Sequence, residues 1–297
     1  MSHQLRGILA LLVVTLVWGT TFPAMKDLTA TLSPAWIVFT RFAIAALLLS
    51  PFFVRAARAD LASGLLLGLL LFFCYVFQVE GLVLTSSNRN AFICGLNVLI
   101  VPLLGLLGGR APERRIAVAL LLAVAGLAAL CWDGGAWSVG DNLALGAALC
   151  FGLYIKLMEV RTRAATRLMT VTATQILTVA VCALVWLLVT EVPMAGGDTY
   201  WVNIFVSLKG GLYNIVYLGG FCTAAIISLQ SWGQRHSTAN EAAVIYAFEP
   251  AAAAVFGFFW LGETMTGRGW IGAALLISGM IVSQWNTERP AGALVPE

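Results

Sequence analysis

Charge is scarce in this chain, at 10% of 297 residues, against about 25% in an average soluble domain. So thin a supply excludes an ordinary soluble fold and leaves lipid as the solvent the chain requires. Histidine occurs only as His3 and His236, and the six cysteines (Cys74, Cys94, Cys131, Cys150, Cys182 and Cys222) form no Cys-x-x-Cys pair. No metal-ligand spacing is encoded, and the cysteines read as small packing residues in or beside apolar runs. The net charge of +3 is not gathered into a stripe, which argues against a nucleic-acid partner. A nucleophile elbow, His-Glu-x-x-His and paired intramembrane aspartates are also missing. The chain therefore lacks an enzyme's reactive constellation, and no cofactor is expected.

Apolar sequence is what abounds: 60% of the residues are hydrophobic and the mean hydropathy is +0.92. At about 20 apolar residues per crossing, ten spans are expected, near 7–25, 34–54, 61–82, 91–108, 116–132, 143–160, 170–190, 212–229, 240–261 and 270–285. The first run is too long for a secretory signal and lacks a small-residue cleavage site. The expected fold class is an all-α polytopic membrane protein, one transmembrane domain whose partners are lipid and a small-molecule solute. Whether it is a monomer or a homodimer, the sequence leaves open.

Lys and Arg divide unequally between the two sides of such a topology. One side holds twelve (Arg6, Arg55, Arg58, Arg110, Arg114, Arg115, Lys156, Arg161, Arg163, Arg167, Arg235 and Arg289), the other four (Lys26, Arg89, Lys209 and Arg268). Cytoplasmic loops carry the excess, so both termini are expected in the cytoplasm. The longest loop, 191–209, contains Gly196-Gly197-Asp198 and Tyr200-Trp201, which predict a turn followed by an aromatic anchor at the interface.

The chain also repeats itself. Pro102, central in the fourth span, pairs with Pro250, central in the ninth, and each precedes a Gly-containing turn, a late glycine (Gly126, Gly279) and a terminal tryptophan (Trp132, Trp285). Arg115 precedes Gly126 by the same interval that separates Arg268 from Gly279. Upstream, Gly19 aligns with Gly152 and Arg41 with Gln175 at nearly equal offsets. Five spans per half is odd, so the second copy enters from the opposite face, an inverted-topology repeat of about 7–132 and about 143–285.

These residues carry a resemblance over nearly the whole chain. Trp18-Gly19-Thr20-Thr21-Phe22, Arg41-Phe42, Phe248-Glu249-Pro250 and Leu261-Gly262-Glu263, in that order and spacing, resemble the drug/metabolite transporter superfamily in its ten-helix EamA-type branch. Within it the chain is most similar to YddG-type exporters of aromatic and other neutral amino acids. Gly108-Gly109-Arg110 departs from the pattern by replacing the usual Leu-Gly-Glu of the first half. The resemblance implies alternating access about a central cavity formed chiefly by spans one, three, four, six, eight and nine, with solute moved outward.

Candidate site residues follow from chemistry at mid-membrane. Pro250 removes a helical hydrogen bond to the carbonyl of Tyr246, and Pro102 does the same to Val98, so both are candidate hinges. Paired breaks of this kind point to a transporter's binding site. Glu249, beside one break, is a candidate for proton coupling, because an intramembrane acid is functional by default. Trp18, Thr21, Tyr75, Gln78, Asn97, Tyr154, Tyr213, Tyr217 and Tyr246 are candidate solute contacts, offering apolar faces with a few polar groups. Tyr213 and Tyr217 are four apart and share a helix face. Arg41 would be costly to bury unpaired, and Glu80 and Glu263 are candidate ion-pair partners in depth. Arg41 is the one basic candidate for the cavity, which favours a neutral or zwitterionic solute over a sugar phosphate. Broken helices also line pores, so a channel is the competing reading.

Overall fold

The computed structural model describes residues 3–53, 56–85, 87–107, 109, 112–131, 136–192, 197–253, 256 and 266–284. Trp132, Leu261, Gly262, Glu263 and Trp285 lie outside them, as do Gly108 and Arg110. A backbone surrounded by lipid must satisfy its polar groups within the segment, and helices do this. The described regular elements are all helical: α1 (His3–Gly19), α2 (Thr21–Thr29), α3 (Pro34–Leu49), α4 (Arg58–Leu84), α5 (Ser87–Gly95), α6 (Asn97–Leu107), α7 (Arg114–Cys131), α8 (Val139–Ala164), α9 (Leu168–Thr190), α10 (Asp198–Gly210), α11 (Leu212–Val216), a π-helical segment (Tyr217–Ala225), α12 (Ile226–Arg235), α13 (Ala239–Tyr246) and α14 (Gly267–Gln284). Among the described residues seven stretches are long and apolar enough to cross a membrane: His3–Thr29, Pro34–Phe53, Arg58–Leu84, Arg89–Leu107, Val139–Ala164, Leu168–Thr190 and Leu212–Arg235.

Those seven coincide with the first four and the sixth to eighth expected spans. Where the fifth is expected stands α7, and where the tenth is expected stands α14, whose apolar stretch Gly267–Ser283 is shorter. The ninth begins as α13, and part of its continuation lies outside the described residues. The expected loop at 191–209 is corrected in one respect. After a turn at Gly197, where φ is 99°, the chain forms the 13-residue helix α10. Trp201, Val202, Phe205 and Val206 form an exposed apolar face on it, the pattern of a helix lying in a membrane interface.

Local signals fix where several helices start. Ser33 accepts from the Trp36 N–H with Pro34 in the first turn of α3. Ser138 with Asp141, and Thr238 with Glu241, form reciprocal capping boxes at the starts of α8 and α13.

Packing then sets which helices meet. α4 lies against α8 and α9, and correspondingly α12 lies against α1 and the π-segment against α3; α3 meets α9, α6 meets α8 and α13, α13 meets α1, and α7 meets α14. Glycine allows the closest approaches, since with little hydrophobic drive in lipid it is close contact that holds helices together. A Cβ on Gly68 would lie 2.6 Å from the Gln175 carbonyl oxygen and 2.5 Å from the Thr178 Cβ. Gly68→Ala should therefore force α4 from α9 and cost about 1–3 kcal/mol, the usual penalty for overpacking. A fall in the thermal midpoint in detergent is the expected readout. Gly267→Ala, where a Cβ meets nothing within 4 Å, is the control expected to leave it unchanged.

Candidate functional site

Two interruptions open space between the packed helices. α5 ends at Gly95 and α6 begins at Asn97, the Leu96 N–H bonding back to Ile93. α13 ends at Tyr246, the chain turns through Ala247 and Phe248, and helix resumes over 249–253. Both breaks fall before the prolines. Pro102 itself sits inside α6, a full turn beyond the break, whereas Pro250 stands at the resumed helix.

Between the breaks lies a central cavity enclosing about 790 Å³ of space, part of it continuous with solvent. Of the proposed solute contacts, Trp18, Thr21, Tyr75, Gln78, Asn97, Tyr154 and Tyr246 line it together, with Glu249 and Pro250 beside them. The walls come from spans one, two, three, four, six, eight and nine, the second contributing Arg41. Tyr213, Tyr217 and Pro102 are not part of the lining. Tyr213 is 82% exposed, and Tyr217 is occupied with the Thr20 hydroxyl at 2.5 Å and stacked on Phe221. An i, i+4 spacing places two tyrosines on one face but does not say which face turns inward, and α11 gives way to the wider π-helix at Tyr217 itself.

Five aromatic rings (Trp18, Tyr75, Phe151, Tyr154 and Tyr246) stand in the lining, which is internally braced. Tyr75 meets Phe42 edge-on at 4.9 Å and Phe151 at 6.3 Å, and Trp18 lies 5.7 Å from Tyr246. The Tyr154 hydroxyl donates to Gln175 Oε1 at 3.1 Å, and Tyr246 donates to Gln234 Oε1 at 3.3 Å. Gln234 in turn donates to the Ile155 carbonyl at 2.6 Å, tying α12 to α8. The π-segment presents two partners to the site: the Cys222 carbonyl accepts from Trp18 Nε1 at 3.3 Å, and the Thr223 hydroxyl accepts from Arg41 Nε at 2.5 Å. π-Helical geometry is rare in proteins and is frequent at functional sites. Nothing in the sequence marks this one.

Arg41 corrects an expectation. Among the described residues it makes no ion pair, and Glu80 is not its partner; Glu263 lies outside them. Arg41 is 3% exposed as a residue, and its guanidinium instead donates to Thr223 and to the Met25 sulfur at 3.5 Å and stands 5.0 Å from the Tyr75 ring centroid. Glu249 is the one carboxylate in the described lining. Cys94, Met25 and Gln230 also line the cavity, and sequence reasoning did not single them out, since each resembles ordinary packing.

Residues 5–132 and 138–284 each match the EamA-like transporter family. An uncharacterised transporter of Archaeoglobus fulgidus is 28% identical over 277 residues, 92% of this chain and 84% of that protein. A second uncharacterised transporter of the same organism shares 32% over 66 residues, 22% of this chain and 24% of its own. A protein of known crystal structure superposes with a TM-score of 0.73 over 94% of this chain and 98% of the other, at 17% identity, a likeness of fold alone.

Proposed function

The chain belongs to the EamA-like transporter family, and we propose that it works as a secondary transporter of small neutral or zwitterionic metabolites, amino acids including aromatic ones among them. Family membership makes it a membrane transporter, and its several long apolar helices support a multi-pass one. The finer reading is a ten-span protein of two inverted five-helix halves that rock about the central cavity, with Glu249 carrying a coupling proton. Export, the bacterial inner membrane and the YddG-type likeness follow from the resemblance, and the cytoplasmic termini follow from the Lys and Arg count.

The observation that carries this reading is that one cavity is walled by corresponding helices of both family-matched halves. The packing supports the inverted repeat. Exchanging α1 with α8, α3 with α9, α4 with the α11–π–α12 run, α5–α6 with α13, and α7 with α14 maps the main helix contacts onto one another. Gly19 packs on Ala252 and Ala253 in the ninth span and Gly152 on Ile100 in the fourth, so each of the two aligned glycines meets the broken span of the other half. Breaks at corresponding places in two halves are where transporters bind their solutes.

Purified protein in proteoliposomes, screened with amino acids, nucleosides and organic cations, is expected to give saturable counterflow of an amino acid. A leak that does not saturate would mean a channel. Saturable flux confined to nucleosides or cations would keep the carrier and overturn the solute class.

A further inference from the structure

Arg41 is a buried cation whose described partners are a hydroxyl and a thioether, neither of them charged. A guanidinium carries five N–H donors in a planar fork, and these contacts employ Nε and Nη1. Nη2 has no acceptor among the described residues, and the group faces the cavity. A charge at this depth is expensive unless something supplies the opposite sign, and Glu249, in the same lining, makes no ion pair with it among the described residues. The Thr223 bond and the Tyr75 ring hold the plane in one attitude, so the fork is preorganised for a planar two-oxygen anion.

Asn97, also lining the cavity, presents the complementary need. Its Nδ2 donates to the Cys94 carbonyl at 2.9 Å, which fixes the amide's orientation, because Oδ1 turned to that carbonyl would set two acceptors face to face. Oδ1 is left buried with no hydrogen-bond partner. A buried acceptor without a donor is costly to leave unmet. The cavity therefore holds a guanidinium fork with an unused donor, an unmet acceptor and five aromatic rings in one lining.

Resting on the transport reading above, we propose that Arg41 binds the carboxylate of the transported solute and Asn97 Oδ1 accepts from its ammonium group, so that the pair selects free α-amino acids. The side chain of the solute then lies against the aromatic lining.

Proteoliposome counterflow, with ligand-induced thermal stabilisation in detergent as a second readout, tests this. The probes are L-phenylalanine, L-leucine and L-threonine, each with its amide, which lacks the anionic carboxylate, and 3-phenylpropionate, which lacks the ammonium. The wild type should prefer each free acid over its amide by at least about tenfold, the loss expected when a charge-assisted bond goes unmade. In Arg41→Gln that preference should vanish while the amide's own binding is kept, and Arg41→Lys should restore part of it. In Asn97→Leu the preference for phenylalanine over 3-phenylpropionate should shrink. Size-exclusion profile and thermal midpoint establish that each variant is folded. An Arg41→Gln protein that still prefers acid over amide by the wild-type ratio, or a wild type indifferent to the carboxylate, overturns the proposal while leaving the carrier reading standing. Absence of saturable flux for every solute class sinks the carrier reading itself.

Discussion

Glu249→Gln is expected to abolish the response of flux to a pH gradient while leaving solute counterflow close to the wild-type rate. Gln keeps the size and hydrogen-bonding reach of Glu but cannot take up or release a proton, so it separates a coupling role from a packing role. Glu249 follows the Ala247–Phe248 turn, next to Pro250, and among the described residues it makes no ion pair that would occupy it structurally. The titratable or charged groups that share the cavity with it are Arg41, Tyr75, Cys94, Tyr154 and Tyr246. A carboxylate placed where the helix breaks can meet both the solute space and whichever face is open. Gradient-driven uptake should fall at least about tenfold, equivalent to about 1.4 kcal/mol, and Glu249→Asp should keep part of it. If Glu249→Gln retains pH-dependent, gradient-driven flux, the coupling assignment is wrong.

The second large effect concerns stability and lies at the start of α8. Asp141 is fully buried, accepts from Arg89 Nε at 2.7 Å and from the Ser138 N–H at 2.6 Å, and so joins α5 to α8. Arg89 also donates to the Ala136 carbonyl at 3.0 Å. Removing one member of a buried pair is strongly destabilising, so Asp141→Ala should cost about 3–5 kcal/mol. Asp141→Asn, which keeps an acceptor for the Ser138 N–H, should cost less. The joint change Arg89→Met with Asp141→Leu should recover much of the loss, because an apolar pair carries no desolvation penalty. Thermal unfolding of the purified proteins in detergent measures all three. A double variant no more stable than Asp141→Ala would mean that the backbone cap, rather than the ion pair, holds this junction.

A second buried junction resembles this one. Glu241, also buried and also the third helical residue after its capping Thr238, accepts from Gln4 at 3.3 Å and lies 3.5 Å from Arg115, joining α13 to α1 and α7. The paired serine- and threonine-led boxes are visible in the sequence as Ser-x-x-Asp and Thr-x-x-Glu. Their partners are not, because Arg89 and Gln4 are brought to them only by helix packing.

The same division runs through the site. Hydropathy located the seven described spans, since about 20 apolar residues cross a bilayer whatever surrounds them. The matched prolines and glycines indicated two related halves, which both match one transporter family. Glu249, Trp18, Tyr75 and Asn97 could be nominated because a polar or aromatic group at mid-membrane is costly or informative wherever it lies.

Facing and partnership were decided by the tertiary structure alone. Periodicity says that Tyr213 and Tyr217 share a side, but packing turned Tyr213 outward. Charge says that Arg41 needs company, but the π-segment supplied Thr223 in place of a carboxylate, and no local sequence rule predicts the extra residue in a turn that brought it there. Burial cost is a property of one residue and can be read along the chain. Contact is a property of two residues far apart in it, and only folding brings them together.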